Sequence, residues 1–171
     1  MYRMLRPAIL LCSVACIPAF ADVDKSSPIK IAVFAFELDD TSPAASFQGT
    51  VTSSKANLEK VAVEARQMLA QSGRYSIIDV SKVDATPVAE KSLRKCDGCE
   101  AKIASQLGAD QSLIGVITRV TQTDYYVQIQ IRSCQTGKIL DQQEANFAGG
   151  DDGWASGVRM LIKHQILVNP N

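Results

Sequence analysis

Tyr125-Tyr126-Val127-Gln128-Ile129-Gln130-Ile131-Arg132 carries the pattern on which the architecture turns. A period of two sends Tyr125, Val127, Ile129 and Ile131 to one side of a strand and Gln128, Gln130 and Arg132 to the other. One side is packed and the other wet, as in antiparallel pairing with a single covered face. Strands flank it at 113–121 and 139–147, and Gln135-Thr136-Gly137-Lys138 has the composition of the turn into the third.

Upstream, two helices and two strands are expected. Ile103, Ala104 and Leu107 fit a helix over 97–107 that Gly108 stops. Residues 75–80 read as a short strand. Leu58, Val61, Ala62, Ala65, Met68 and Leu69 form the apolar stripe of a helix beginning near Lys55 and ending at Ser72-Gly73. Ile29-Lys30-Ile31-Ala32-Val33-Phe34-Ala35-Phe36 suits a strand covered on both faces, followed by a polar loop over 37–54. Downstream of Gly149-Gly150-Asp151-Asp152-Gly153, a last helix places Trp154, Val158, Leu161, Ile162 and Gln165 on one side. Asp151 and Asp152 suit its positive end. The order β-α-β-α-β-β-β-α predicts a single α/β (α+β) domain over 29–171 with a mixed five-stranded sheet. Right-handed crossovers make its first three strands parallel.

The amino terminus reads as an export leader. Arg3 and Arg6 precede an apolar run, and Ala19-Phe20-Ala21 offers a peptidase site, so residues 1–21 are expected to be removed and 22–28 to form a polar tether. The run is shorter than the roughly 20 residues that span a bilayer. Lipid attachment at Cys16 is disfavoured, because Ser13 stands where a lipoprotein signal usually has leucine. The protein is therefore expected in the periplasm, without a membrane span. Of its 18 basic residues the leader holds two, against 18 acidic residues elsewhere, so no basic cluster points to nucleic acid.

The carboxyl ends of the parallel strands locate the candidate chemistry, since ligands of open α/β sheets bind there. Glu37, Asp39, Asp40, Asp151 and Asp152 are expected to gather at that rim as partner or ligand loops, with Trp154 beside them. Five carboxylates could bind a hard cation; the simpler reading is a turn at Asp39-Asp40 and a helix cap at Asp151-Asp152. Trp154 reads as a core anchor before a ligand platform. Cys96-Asp97-Gly98-Cys99 reads first as a structural disulfide, with a redox pair as the alternative. Zinc lacks a second cysteine pair or two histidines, as His164 is the only histidine. Cys134 is expected as a partly exposed thiol about 30 Å from that pair, at the other end of the sheet. No catalytic residues, metal or cofactor are assigned.

Ile31-Ala32-Val33-Phe34-Ala35-Phe36-Glu37-Leu38-Asp39-Asp40-Thr41-Ser42, with Gly73-Arg74-Tyr75, Leu107-Gly108-Ala109-Asp110, Gly115 and Trp154, resembles an uncharacterised family of bacterial periplasmic proteins of unknown function. The pattern is similar to the amino-terminal domain of TolB and to CsgG. That resemblance implies an α/β domain for protein assembly rather than catalysis, and a link to quinoprotein alcohol oxidation. The expected role is a non-enzymatic periplasmic accessory or binding protein whose partner is another protein; a homo-oligomer is compatible. The alternatives are a thiol–disulfide redox protein using Cys96 and Cys99, or cation binding at the acidic loops.

Overall fold

A computed structural model describes residues 27–45, 52–81 and 92–168; the leader at 1–21 and tether residues 22–26 lie outside them. The chain runs β1 (Ile29–Val33), β2 (Glu37–Asp40), α1 (Thr52–Gln71), β3 (Tyr75–Ile78), a 3₁₀ turn (Leu93–Lys95), α2 (Cys99–Gln106), β4 (Gln111–Arg119), β5 (Asp124–Ser133) and β6 (Ile139–Ala148). A 3₁₀ turn (Asp151–Gly153) then leads into α3 (Trp154–Leu161), which ends in a π turn (Ile162–Ile166). The sheet order is β3-β1-β4-β5-β6, with β2 also on β4. β1 is parallel to β3 and β4, and the β4-β5-β6 meander is antiparallel. This is the mixed α/β sheet expected, with one strand more than the five predicted.

The extra strand is β2, and it corrects the reading of 37–54 as a loop. Val33 pairs with Leu113 and Glu37 with Val116, so four steps along one strand oppose three along the other. The surplus residue makes a bulge. Before it, Ile31 and Val33 enter the larger core while Ala32 and Phe34 enter the smaller. After it, Phe36 and Leu38 belong to the larger core. Without the bulge, alternation would turn Glu37 and Asp39 inward and Leu38 away. Arg66 donates Nε and Nη2 to the Val33 carbonyl at 3.2 and 2.9 Å, supplying a partner where the ladder breaks. A polar strand of this kind gives no hydrophobic signal, which is why the sequence pattern missed it.

The larger core lies between the sheet and α1 with α3. Val61, Ala62, Ala65 and Leu69 of α1 meet Trp154, Val158 and Leu161 of α3 over Leu113, Ile117, Val127 and Ile129. The π turn inserts an extra residue, so Ile166 enters the core where Gln165 was expected. Gly157 lets α3 settle on β5, since a Cβ there would lie 2.6 Å from the Tyr125 hydroxyl. Among the described residues, the opposite face is covered only in part. α2 packs on β4, closing a small core of Ala32, Phe34, Leu93, Ala104 and Ala109. Gln128 and Gln130 on that face of β5 stay half-buried, and the Arg132 side chain is 12% exposed.

Gly115 marks the tightest point of the bulge, as a Cβ on it would stand 2.1 Å from the Phe36 ring. Gly115→Ala is expected to cost at least about 2 kcal/mol in urea unfolding, from overpacking. Combined with Phe36→Leu, its further cost should fall well below that of the single change, a coupling that a double-mutant cycle measures directly.

Candidate functional site

The acidic residues expected to share one rim are divided between the two faces by the bulge, and arginines occupy them. On the helix-covered face, Arg119 donates to Asp40 Oδ2 at 2.6 Å and through Nε to Asp151 Oδ1 at 3.1 Å. Its Nη2 also meets Asp151 Oδ2, and donates to the Ser54 hydroxyl at 3.0 Å. The Ser54 hydroxyl in turn donates to Asp151 at 3.2 Å. The guanidinium lies 5.2 Å from the centroid of the Trp154 ring, a cation–π contact. Trp154 itself is fully buried, so it is a core anchor and offers no ligand platform. Asp40 also accepts from the Ser42 amide and hydroxyl at 3.0 and 2.6 Å, which turns the chain out of β2.

On the opposite face, Arg94 grips Asp39 with two bonds, at 2.8 and 2.9 Å. Glu37 accepts from the Ser92 hydroxyl and from the Leu93 amide at 2.6 Å, holding the start of the 3₁₀ turn. Asp152 alone of the five carboxylates is exposed and sits in neither arrangement. The oxygens expected to face a cation are thus already committed to Arg119, Arg94 and backbone amides. The hydrogen bond from Arg94 holds the Asp39 carboxyl below its ordinary value. For Asp40, burial works against the charged form, and the bonds from Ser42 and Arg119 outweigh it to the same end.

A second site is better formed. The 3₁₀ turn, the Cys96–Cys99 turn and the start of α2 stand above the uncovered part of the sheet and enclose a groove of about 350 Å³. Its floor is Ile114, Val116, Gln128 and Gln130, and Arg132 closes one end. Cys96 and Cys99 are joined as a disulfide, with Cα atoms 5.6 Å apart. Between them Asp97 and Gly98 both take positive φ, 42° and 96°. Glu100, 1% exposed, lies in the wall. Its Oε1 accepts from Arg132 Nε at 2.8 Å, while Oε2 has no protein partner. Arg132 also donates to the Gly137 carbonyl at 2.7 Å, tying α2 to the β5–β6 turn.

Cys134 does not lie about 30 Å from the pair as expected. Its amide bonds to the Asp110 carbonyl, and it packs against the same small core as Cys96 and Cys99. The error is one of rise. α2 has eight residues, which advance only about 12 Å, so its start stays near the beginning of β4. Burial, with Asp110 and Glu100 nearby, pushes the Cys134 thiol up to about 11. His164 is exposed on the π turn.

Arg119, Arg94, Arg132 and Glu100 were missed from sequence. Two of them carried a signal: Arg119 occupies an inward position after Leu113, Gly115 and Ile117, and Glu100 lies one turn from the inward Ala104. A charge on an apolar stripe implies a buried partner. Arg94 offered none, because its partners stand 55 and 57 residues away.

The chain belongs to the family described as "Protein of unknown function (DUF2380)", which it matches over residues 29–166. No curated protein matches it. Among solved structures, the carboxy-terminal domain of LpoB from Salmonella enterica is similar at 17% identity and a TM-score of 0.52, covering 71% of this chain and 83% of that one. Lipoprotein GNA1162 from Neisseria meningitidis has 16% identity and a TM-score of 0.52, covering 84% and 100%. TolB from Acinetobacter baumannii has 16% identity and a TM-score of 0.51, covering 84% of this chain but 29% of that one. These likenesses establish a shared TolB-like fold. No helix among the described residues is long and apolar enough to cross a membrane.

Arg119→Met, which leaves Asp40 and Asp151 without their cation, is expected to destabilise the protein by about 2–3 kcal/mol in urea. Acid should act through the same groups. Asp39 and Asp40 have folded values below the ordinary 3.8, so their contribution is complete above that pH and is lost as pH falls through the lower folded values. Melting temperature measured from pH 6 to pH 2 should therefore fall less steeply below about pH 4 in Asp40→Asn than in the native protein.

Proposed function

We propose that this member of the family is an exported, non-enzymatic accessory protein that works by binding another protein across the uncovered part of its sheet. One observation carries the reading. Among the described residues, the face of β5 that bears Gln128, Gln130 and Arg132 has no helix over it and opens directly into the groove beside the disulfide turn. Gln128 and Gln130, polar side chains only half-buried there, suit a contact surface of mixed character. Ile139, 48% exposed where β6 begins, lines the groove and adds apolar area.

The loops first expected to meet the partner contribute less. Trp154 is internal and Asp40 and Asp151 are braced by Arg119, leaving Asp152 and the half-exposed Asp39 at the rim. Periplasmic location is supported by the leader pattern of residues 1–21, and is compatible with the shared fold of lipoprotein GNA1162. A link to quinoprotein alcohol oxidation is carried by none of the residues described above and forms no part of the proposal.

Two measurements test the reading. Amino-terminal sequencing of the protein from native cells should begin at Asp22. A photo-crosslinking residue at Gln130 should trap one discrete partner in those cells, whereas the same residue at Lys55, exposed on α1, should not. Equal trapping at both positions, or none at Gln130, overturns the surface assignment.

A further inference from the structure

We propose that Cys96–Cys99 is an exchangeable disulfide that trades electrons with a dithiol of another protein, with Glu100 as the acceptor and donor of the cysteine proton. Three features converge on it. Both cysteines are only half-buried, and the residues between and beside them, Lys95, Asp97, Gly98 and Glu100, line the groove. The two sulfurs and a carboxylate oxygen of Glu100 all lie within 4.8 Å of one another. Glu100 is 1% exposed, and its Oε2 has no protein partner although burial of such an oxygen is costly. A merely structural bridge leaves that oxygen unexplained; a cysteine thiol formed beside it would donate to it.

The reduced form also fits without rebuilding. Cys96 Sγ stands 3.1 Å from the Leu93 carbonyl, an acceptor for its S–H once the bridge opens. Cys99 opens α2, where the helix end favours a thiolate. In the oxidising direction, Cys96 first forms a mixed disulfide with a partner disulfide, releasing one partner thiol. Glu100 takes the Cys99 proton, and the thiolate attacks Cys96. The Cys96–Cys99 bond forms, the mixed bond breaks, and the departing partner thiolate regains the proton. Two electrons and two protons pass from Cys96 and Cys99 to the partner disulfide, and the reverse sequence restores them. Arg132 from β5 holds Glu100 in place at 2.8 Å and faces Asp97 across the turn at 3.6 Å. Arg94 and Lys95 line the same groove, and Asp110 adds a carboxylate beside the Cys134 thiol at the start of β4.

This inference stands apart from the partner-binding reading, because small thiols test it without any partner. The mature protein is equilibrated in graded mixtures of reduced and oxidised glutathione, alkylated, and weighed peptide by peptide so that Cys134 is read separately. The pair is expected to pass reversibly between disulfide and dithiol while circular dichroism stays native. Alkylation of Cys99 in the reduced protein should follow a pH profile that Glu100→Gln shifts, with resolution of the mixed disulfide slowed at least tenfold. If Glu100→Gln does not fold, Glu100→Asp, which keeps the charge opposite Arg132, should give a smaller shift in the same sense. A bridge that opens only as the protein unfolds, or a Cys99 profile the same in the folded variant and the native protein, overturns the proposal.

Discussion

Arg119 is the point at which the layers of this domain are fastened together. Its guanidinium binds Asp40 from β2, Ser54 from α1 and Asp151 from the turn before α3, and stacks over Trp154. Four elements distant in sequence thus depend on one cation at the end of β4. Placing that charge beside a buried indole is favourable only because each guanidinium nitrogen finds an oxygen. The same geometry withdraws the carboxylates from solvent-facing chemistry. An acidic cluster that looks like a cation site in one dimension is, in three, the counter-charge of an arginine.

What the sequence reveals here follows hydrophobic periodicity closely. The meander, the α1 stripe and the parallel start of the sheet are all written in apolar spacing, and they match the structure to within a few residues. β2 is not, because Glu37-Leu38-Asp39-Asp40 forms a strand by continuing β1 after a bulge rather than by any preference of its own. The ion pairs were equally hidden. A pairing across 79 residues, as between Arg119 and Asp40, leaves no local trace. Cys134 shows a third kind of loss: the order of elements was right, but distance was judged on strand rise where a short helix intervenes.

The two faces of the sheet have different tasks. One is sealed by α1 and α3 over a large apolar core. The other, among the described residues, is sealed over β1 and β4, where a core of five buried residues is supported by the disulfide turn and the Glu100–Arg132 pair. Beyond that support the face is polar and open. Partner contact and thiol exchange are therefore assigned to the less covered face, while the larger core beneath supplies rigidity. Both assignments use the same groove, and neither draws on the Arg119 brace.

The single surplus residue between Val33 and Glu37 acts as a parity bit for everything beyond it. Removing one residue near Ala35 would invert β2, presenting Glu37 and Asp39 to aliphatic neighbours and stranding both Arg94 and Arg119. Exchanging one small residue there for another would leave the inversion untouched. Over evolutionary time, this segment should accept changes of letter far more readily than changes of length, unlike the surface loops of the same chain.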